Sequence, residues 1–150
     1  MMKILKSILA ICAVASIAYS CEVTGGPELR GTWCIDNQSD ELFTSILVGL
    51  GPKSFTETVK IHPQSKRNLT ETSIGSIDWD NPASKFEDGS IQLSFVFRNG
   101  IIHTFEGEIT EHDIRIGDNW NLVVSDDELV RTYTYTFTNE DYQRIMALYE

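Results

Sequence analysis

Two tryptophans and a short acidic segment are the residues of this sequence that are most typical of a ligand-binding surface. Asp78 and Asp80 flank Trp79, and Trp120 lies beside a second group of turn-forming residues. Exposed tryptophans on β-sandwiches often stack on sugar rings, so these four residues are the candidate binding residues. Core packing is the simpler interpretation of both tryptophans, because a large ring beside a turn can plug the end of a sandwich.

The same acidic segment has the carboxylate density of a calcium loop. The segment 78–82 (DWDNP) lacks the glycine and the distal glutamate of such a loop. Asp, Asn and Pro are turn-forming residues, so a turn is the better interpretation here, and a solvated hairpin tip is the better interpretation of 126–128. We predict no metal site.

The remaining residue types with catalytic potential form no recognisable arrangement. His62, His103 and His112 do not have metal-ligand spacing, and the sequence has no GxSxG, HExxH or CxxC motif. We therefore predict no catalytic residue and no cofactor, and we expect that the protein is not an enzyme. A secreted hydrolase remains an alternative, because paired carboxylates can lie far apart in a chain.

The N-terminus has the three parts of a secretory signal. Lys3 and Lys6 precede the uncharged apolar stretch 8–18, and small residues lead to Ser20. The apolar stretch is shorter than the roughly 20 residues that a stable membrane-spanning helix needs. We predict that residues 1–20 are a signal peptide and that cleavage leaves Cys21 as the first mature residue.

A cysteine at this position favours lipidation, with plain secretion as the alternative. Residues 21–29 are polar and contain glycine, so they form a candidate tether. If Cys21 carries a lipid, Cys34 has no partner; if Cys21 is free, the two thiols can form a disulfide in an oxidising compartment. Cys34 lies in an apolar strand, which favours a buried thiol over a nucleophile.

The composition predicts a single acidic domain. The formal net charge is -10, and it becomes more negative when Lys3 and Lys6 leave with the signal. An acidic surface field does not attract nucleic acid, so we predict no nucleic-acid partner. Residues 30–150 are long enough for one domain with a core, and no repeat or second linker divides them.

Apolar residues in residues 30–150 recur with a period of two, which is typical of half-buried strands. We expect about seven to nine strands. The predicted strands are Trp33–Ile35, Leu42–Leu50, Phe55–Ile61, Ile91–Arg98, Ile101–Glu106, Ile114–Ile116, Leu122–Val124 and Val130–Thr138.

The Asn99-Gly100 pair predicts a hairpin whose register can be worked out. A two-residue turn would set apolar residues opposite polar ones. A three-residue loop with a left-handed Gly100 pairs Phe97 with Ile101, Phe95 with His103 and Leu93 with Phe105. We predict the second register.

The C-terminal part predicts a core strand followed by a short helix. Tyr133, Tyr135 and Phe137 share one face of a strand, and Thr138 can cap a helix that has Asp141 in its first turn. The resulting fold class is all-β: an antiparallel β-sandwich of immunoglobulin-like size with a short C-terminal helix. A small lipocalin-like barrel is the alternative, because 31–33 (GTW) resembles the GxW of lipocalins.

The order of these motifs gives a broader resemblance. The lipobox-like Cys21, the 61–63 corner, the Trp79 loop and the final strand with its acidic helix are similar to short uncharacterised lipoproteins of anaerobic gut bacteria. That resemblance implies a location at the bacterial cell envelope. The family has no established activity, so the resemblance implies no particular reaction or ligand. We therefore expect a lipid-anchored, non-catalytic module that binds a protein or glycan partner. A lipocalin-like carrier of small ligands is the second hypothesis, and a secreted hydrolase is the third.

Overall fold

The computed structural model describes residues 30–52, 54–69 and 81–150. These residues form eight β-strands, two α-helices and one turn of 3-10 helix. The strands are β1 (Arg30–Asn37), β2 (Phe43–Gly49), β3 (Phe55–Ile61), β4 (Ser65–Asn68), β5 (Ile91–Phe97), β6 (Ile102–Thr104), β7 (Trp120–Val124) and β8 (Val130–Phe137). The helices are α1 (Ser84–Glu87) and α2 (Asn139–Met146), and the 3-10 turn is Gly117–Asn119.

The strands form two four-stranded sheets, so the predicted β-sandwich is confirmed. The first sheet has the order β4-β1-β8-β7 and the second has the order β3-β2-β5-β6. The two sheets stay separate in the described part of the chain, so the alternative of a closed lipocalin-like barrel is wrong. One pair, β1 with β8, is parallel, which makes the first sheet mixed.

Aromatic residues from both sheets meet in one core. Phe43 on β2 and Phe95 on β5 contact Phe137 on β8, with ring centroids 4.9 and 5.4 Å apart. Trp33 on β1 is fully buried. Burial of a large apolar side chain stabilises a fold by roughly 2–3 kcal/mol, so these rings hold the two sheets together.

The hairpin between β5 and β6 has the predicted register. Phe95 lies opposite His103, and the Phe97 N–H donates to the Ile101 carbonyl at 2.9 Å. Gly100 has a φ of 86°, the left-handed conformation that this three-residue loop requires. The prediction from the Asn99-Gly100 pair is therefore confirmed.

The C-terminal helix is capped as predicted. The Thr138 hydroxyl accepts a hydrogen bond from the Asp141 N–H, and the Asp141 carboxylate accepts one from the Thr138 N–H. Ile145 is buried in the core, while Tyr142 and Met146 pack against its edge. Helix α2 thus covers an open end of the sandwich beside β6.

Three details of the chain differ from the prediction. Ile114–Ile116 is not a strand, because the Asp113 carboxylate accepts hydrogen bonds from the Arg115 backbone and side chain and folds this segment into a turn. Strand β4 was not predicted, since its four residues, SKRN, have no apolar alternation. Helix α1 was not predicted either, because it is only four residues long.

Cys34 is the buried residue that its sequence context predicted. Its side chain is 1% exposed, and its thiol donates to the Asn68 Oδ1 at 3.0 Å. Burial raises the pKa of the Cys34 thiol and so keeps it protonated and unreactive.

Candidate functional site

A cavity with a volume of about 380 Å³ lies at one end of the first sheet. Strands β7 and β8 form its floor, the residues that precede α1 form one wall, and the 3-10 turn forms the other. The lining residues are Asn81, Pro82, Ile116, Gly117, Asp118, Trp120, Leu122 and Tyr133. We call this space the Trp120 cavity.

Trp120, the first residue of β7, is a rigid part of the cavity floor. Its indole N–H donates to the Ile114 carbonyl at 2.7 Å. The ring stacks on Phe86 of α1, with centroids 5.6 Å apart and an interplanar angle of 6°. Because Trp120 is only 6% exposed, most of its ring lies in the core.

The wall formed by the residues that precede α1 is held in place by two hydrogen bonds. The Trp33 indole N–H donates to the Pro82 carbonyl at 3.2 Å, and the Asn81 Oδ1 accepts the Ala83 N–H at 3.1 Å. Gly117 lies so close to this wall that an added Cβ would sit 2.9 Å from the Asn81 Oδ1. A larger residue at Gly117 would push the two walls apart, so their close approach requires a glycine at this position.

The lining suits binding of a mixed apolar and polar group. Tyr133, Leu122 and Ile116 offer aromatic and aliphatic surface, while Asn81 and Asp118 offer an amide and a carboxylate. A lining that combines apolar surface with a few fixed polar groups is typical of ligand-binding sites.

One of the four candidate binding residues that were chosen from the sequence lines this cavity. Trp120 lines it, and Asn81, which follows Asp80 directly, lines it too. Asp78, Trp79 and Asp80 lie outside the described residues, as does Cys21. Leu122 was not among the candidate binding residues, although its two-residue spacing from Trp120 puts both side chains on one face of β7.

A second, smaller cleft of about 100 Å³ lies between α2 and the loop that follows β6. Asp141 lines it and is 4% exposed. The Asp141 Oδ2 accepts hydrogen bonds from the Thr138 N–H and hydroxyl, both at 2.8 Å. The Oδ1 lies 3.4 Å from the Arg144 Nη1 and 3.6 Å from the His112 Nδ1, so the Arg144 guanidinium supplies a positive charge close to the carboxylate.

The other polar and ionisable side chains of this cleft also have structural roles. Arg115 bonds to both carboxylate oxygens of Asp113, at 2.9 and 2.7 Å, and the hydrogen bond raises the pKa of the Arg115 guanidinium. The Tyr135 hydroxyl donates to the His112 carbonyl, and burial raises the pKa of this phenol. Burial also lowers the pKa of His103, which favours its neutral form. These contacts fix the loop that packs beside α2.

The acidic segment 126–128 forms the predicted hairpin tip. The Asp127 Oδ1 accepts the Ser125 hydroxyl at 2.5 Å and the Leu129 N–H at 3.1 Å. In the ranges that the structure describes, no three His, Cys, Asp or Glu side chains converge as metal ligands. No helix in the same ranges is long and apolar enough to cross a membrane.

Comparison with known proteins gives no relative from which a function can be transferred. No protein-family model matches the chain, and neither the curated proteins nor the solved structures give a significant match. The functional argument therefore rests on the residues and the geometry of the chain itself.

Proposed function

We propose that this chain is an exported protein, anchored by a lipid on Cys21, whose β-sandwich binds a protein or glycan partner without catalysing a reaction. The Trp120 cavity is the proposed binding site. Residues 21–29 are the proposed tether between the membrane and Arg30, where β1 begins.

The Trp120 cavity is the observation that carries the binding part of this proposal. Its walls are fixed by the indole hydrogen bonds of Trp33 and Trp120, so a partner meets a preformed surface. Preformed sites lose less conformational entropy on binding than flexible ones do. The aromatic and aliphatic lining supports the holding of a ligand more than proton transfer, which needs a well-placed acid and base.

The anchoring part rests on the N-terminal sequence and on the state of Cys34. The Cys34 sulfur is buried and already engaged as a donor to Asn68. A disulfide to Cys21 would have to displace this contact and reach a sulfur that is 1% exposed. The lipidated form of Cys21 needs no such rearrangement, which favours it over the secreted, disulfide-bonded form.

Membrane fractionation in the native host tests this proposal. We expect the wild-type protein to enter the detergent phase and the Cys21→Ser variant to enter the aqueous phase, because the variant lacks the thiol that accepts the lipid. A Cys34→Ser variant is the matched control and should partition like wild type. If wild type and Cys21→Ser both stay in the aqueous phase, the anchor is absent and the proposal is overturned.

A further inference from the structure

The outer edge of β7 differs from the three other sheet edges of the described chain. Edge strands expose unpaired backbone groups, and proteins protect such edges with charges, short length or cover. Strand β4 carries Lys66 and Arg67, and β3 carries Glu57 and Lys60. Strand β6 has three residues, and the Ile102 carbonyl accepts the Tyr149 hydroxyl at 3.0 Å.

Strand β7 has none of these protections among the described residues. It ends in 121–124 (NLVV), which has no charge and no proline. Leu122, Val123 and Val124 are 42%, 54% and 41% exposed. Aliphatic and β-branched residues on an open edge favour the addition of another strand.

The backbone of β7 has N–H and carbonyl groups that point away from β8, where another strand could pair with them. The Ser125 N–H donates to the Val130 carbonyl at 2.9 Å, which fixes the hydrogen-bonded side of the ladder. In an antiparallel ladder, hydrogen-bonded residue pairs recur at every second residue. The backbones of Asn121 and Val123 therefore also form hydrogen bonds to β8. The N–H and carbonyl groups of Leu122 and Val124 therefore point outward, away from β8.

The Trp120 cavity opens beside this edge. Leu122 belongs both to the cavity lining and to the exposed edge, and it shares the inner face of β7 with Trp120. A strand that pairs with β7 would place one of its inward side chains next to Leu122, at the mouth of the cavity. In strand addition the backbone gives affinity and such a pocket gives specificity.

Acidic residues at both ends of β7 favour a partner with positive charge. Asp118 precedes the strand in the 3-10 turn, and Asp126 and Glu128 lie exposed at the hairpin tip after it. The chain as a whole has a net charge of -10. A second copy in antiparallel pairing would place Asp118 near Asp126 of the first copy, and like charges repel. A strand with basic ends has the complementary charge.

We infer that β7 and the Trp120 cavity bind an extended peptide segment of a protein partner, with alternating apolar residues between basic ends. This inference rests on the proposed binding function and names the class of partner. The segment adds as a fifth strand beside β7, and one of its apolar side chains enters the cavity. The acidic ends of β7 pair with Lys or Arg of the segment, about eight residues apart in an extended chain.

A synthetic peptide tests this inference directly. The probe is acetyl-Lys-Arg-Val-Thr-Val-Thr-Val-Lys-Arg-amide, and the protein is the full mature chain with Cys21→Ser, which does not depend on lipid attachment. We expect saturable binding by calorimetry that weakens with added salt, because screening reduces the attraction between the charged ends. The same peptide with Glu in place of Lys and Arg should bind at least about tenfold more weakly.

Backbone hydrogen exchange distinguishes strand addition from nonspecific charge attraction. In the free protein we expect the Leu122 and Val124 amides to exchange fast and the Asn121 and Val123 amides to be protected by β8. The peptide should protect Leu122 and Val124 and leave the other two unchanged. Binding without protection of these two amides would overturn the inference.

Two pairs of variants complete the test. Val124→Pro removes one outward N–H and no bond to β8, so we expect at least about a tenfold loss of affinity, whereas Val124→Thr keeps the N–H and should bind like wild type. Asp118→Asn with Asp126→Asn should weaken binding and flatten its salt dependence; Glu140→Gln with Glu150→Gln is the control with equal charge change. A lack of peptide binding, or dimers through β7 instead, refutes the inference and leaves the detergent-partition result intact.

Discussion

Replacement of Trp120 by phenylalanine tests whether this ring is packed in the core or is an exposed platform on the surface. The variant removes the N–H that bonds to the Ile114 carbonyl and shrinks a ring that stacks on Phe86. The orphaned carbonyl costs about 1–2 kcal/mol, and the lost ring volume costs about another 1–2 kcal/mol. We therefore expect the free energy of unfolding to fall by about 3 kcal/mol.

Urea denaturation, followed by far-ultraviolet circular dichroism, measures this loss. For an m-value of about 1.5 kcal/mol per molar urea, the midpoint should fall by about 2 M. Leu122→Ala is the matched control, because Leu122 lines the same cavity but is 42% exposed, and its midpoint should fall far less. A surface platform would tolerate the Trp120 change within about 0.5 kcal/mol, so a shift below about 0.3 M refutes the assignment.

Three further predictions concern other parts of the fold. Cys34 should react with a disulfide reagent at least about 100-fold more slowly in the folded chain than in urea, since its thiol is buried and its pKa is raised. Equal rates would contradict its burial. The Ser125 hydroxyl holds the pKa of Asp127 below its ordinary value, so its stabilising effect exists above about pH 4 and disappears as the pH falls through the folded pKa. Asp127→Asn should lower the melting temperature at neutral pH but not near about pH 2, and an equal loss at both pH values would exclude this linkage. Gly100→Ala should cost about 1 kcal/mol in urea denaturation, because Gly100 has a φ of 86°; an unchanged midpoint would contradict the left-handed loop.

Local patterns in the sequence predicted the elements of the fold well. Alternation of apolar residues defined most strands, because one face of each strand is buried. The Asn99-Gly100 pair predicted the register of β5 and β6, and Thr138 with Asp141 predicted the start of α2. Each of these signals acts within a few residues of the chain.

Features that depend on distant segments could not be predicted in the same way. The parallel pairing of β1 with β8 joins Arg30 to Val130, and no local pattern specifies it. The turn at Ile114–Ile116 was misassigned because the two isoleucines alternate as they would in a strand, while the side chain of Asp113 decides the backbone. Long-range pairing and side-chain capping override propensity here.

The candidate site was predicted only in part for the same reason. Trp120 was selected for its type and its position beside a turn, and it does line the cavity. The cavity itself forms where Asn81 meets Gly117, two residues that are far apart in the sequence. The open edge of β7 follows from the strand order, because the sequence alone does not specify which strands lie at the edges of a sheet.

The mass of the mature protein from its native host tests the central claim most directly. We predict a chain that begins at Cys21 and carries the added mass of a diacylglyceryl group on that residue, as a lipid-anchored envelope protein requires. An unmodified chain that is lighter by two protons would instead show a disulfide between Cys21 and Cys34. That result would contradict the anchor and describe a secreted domain.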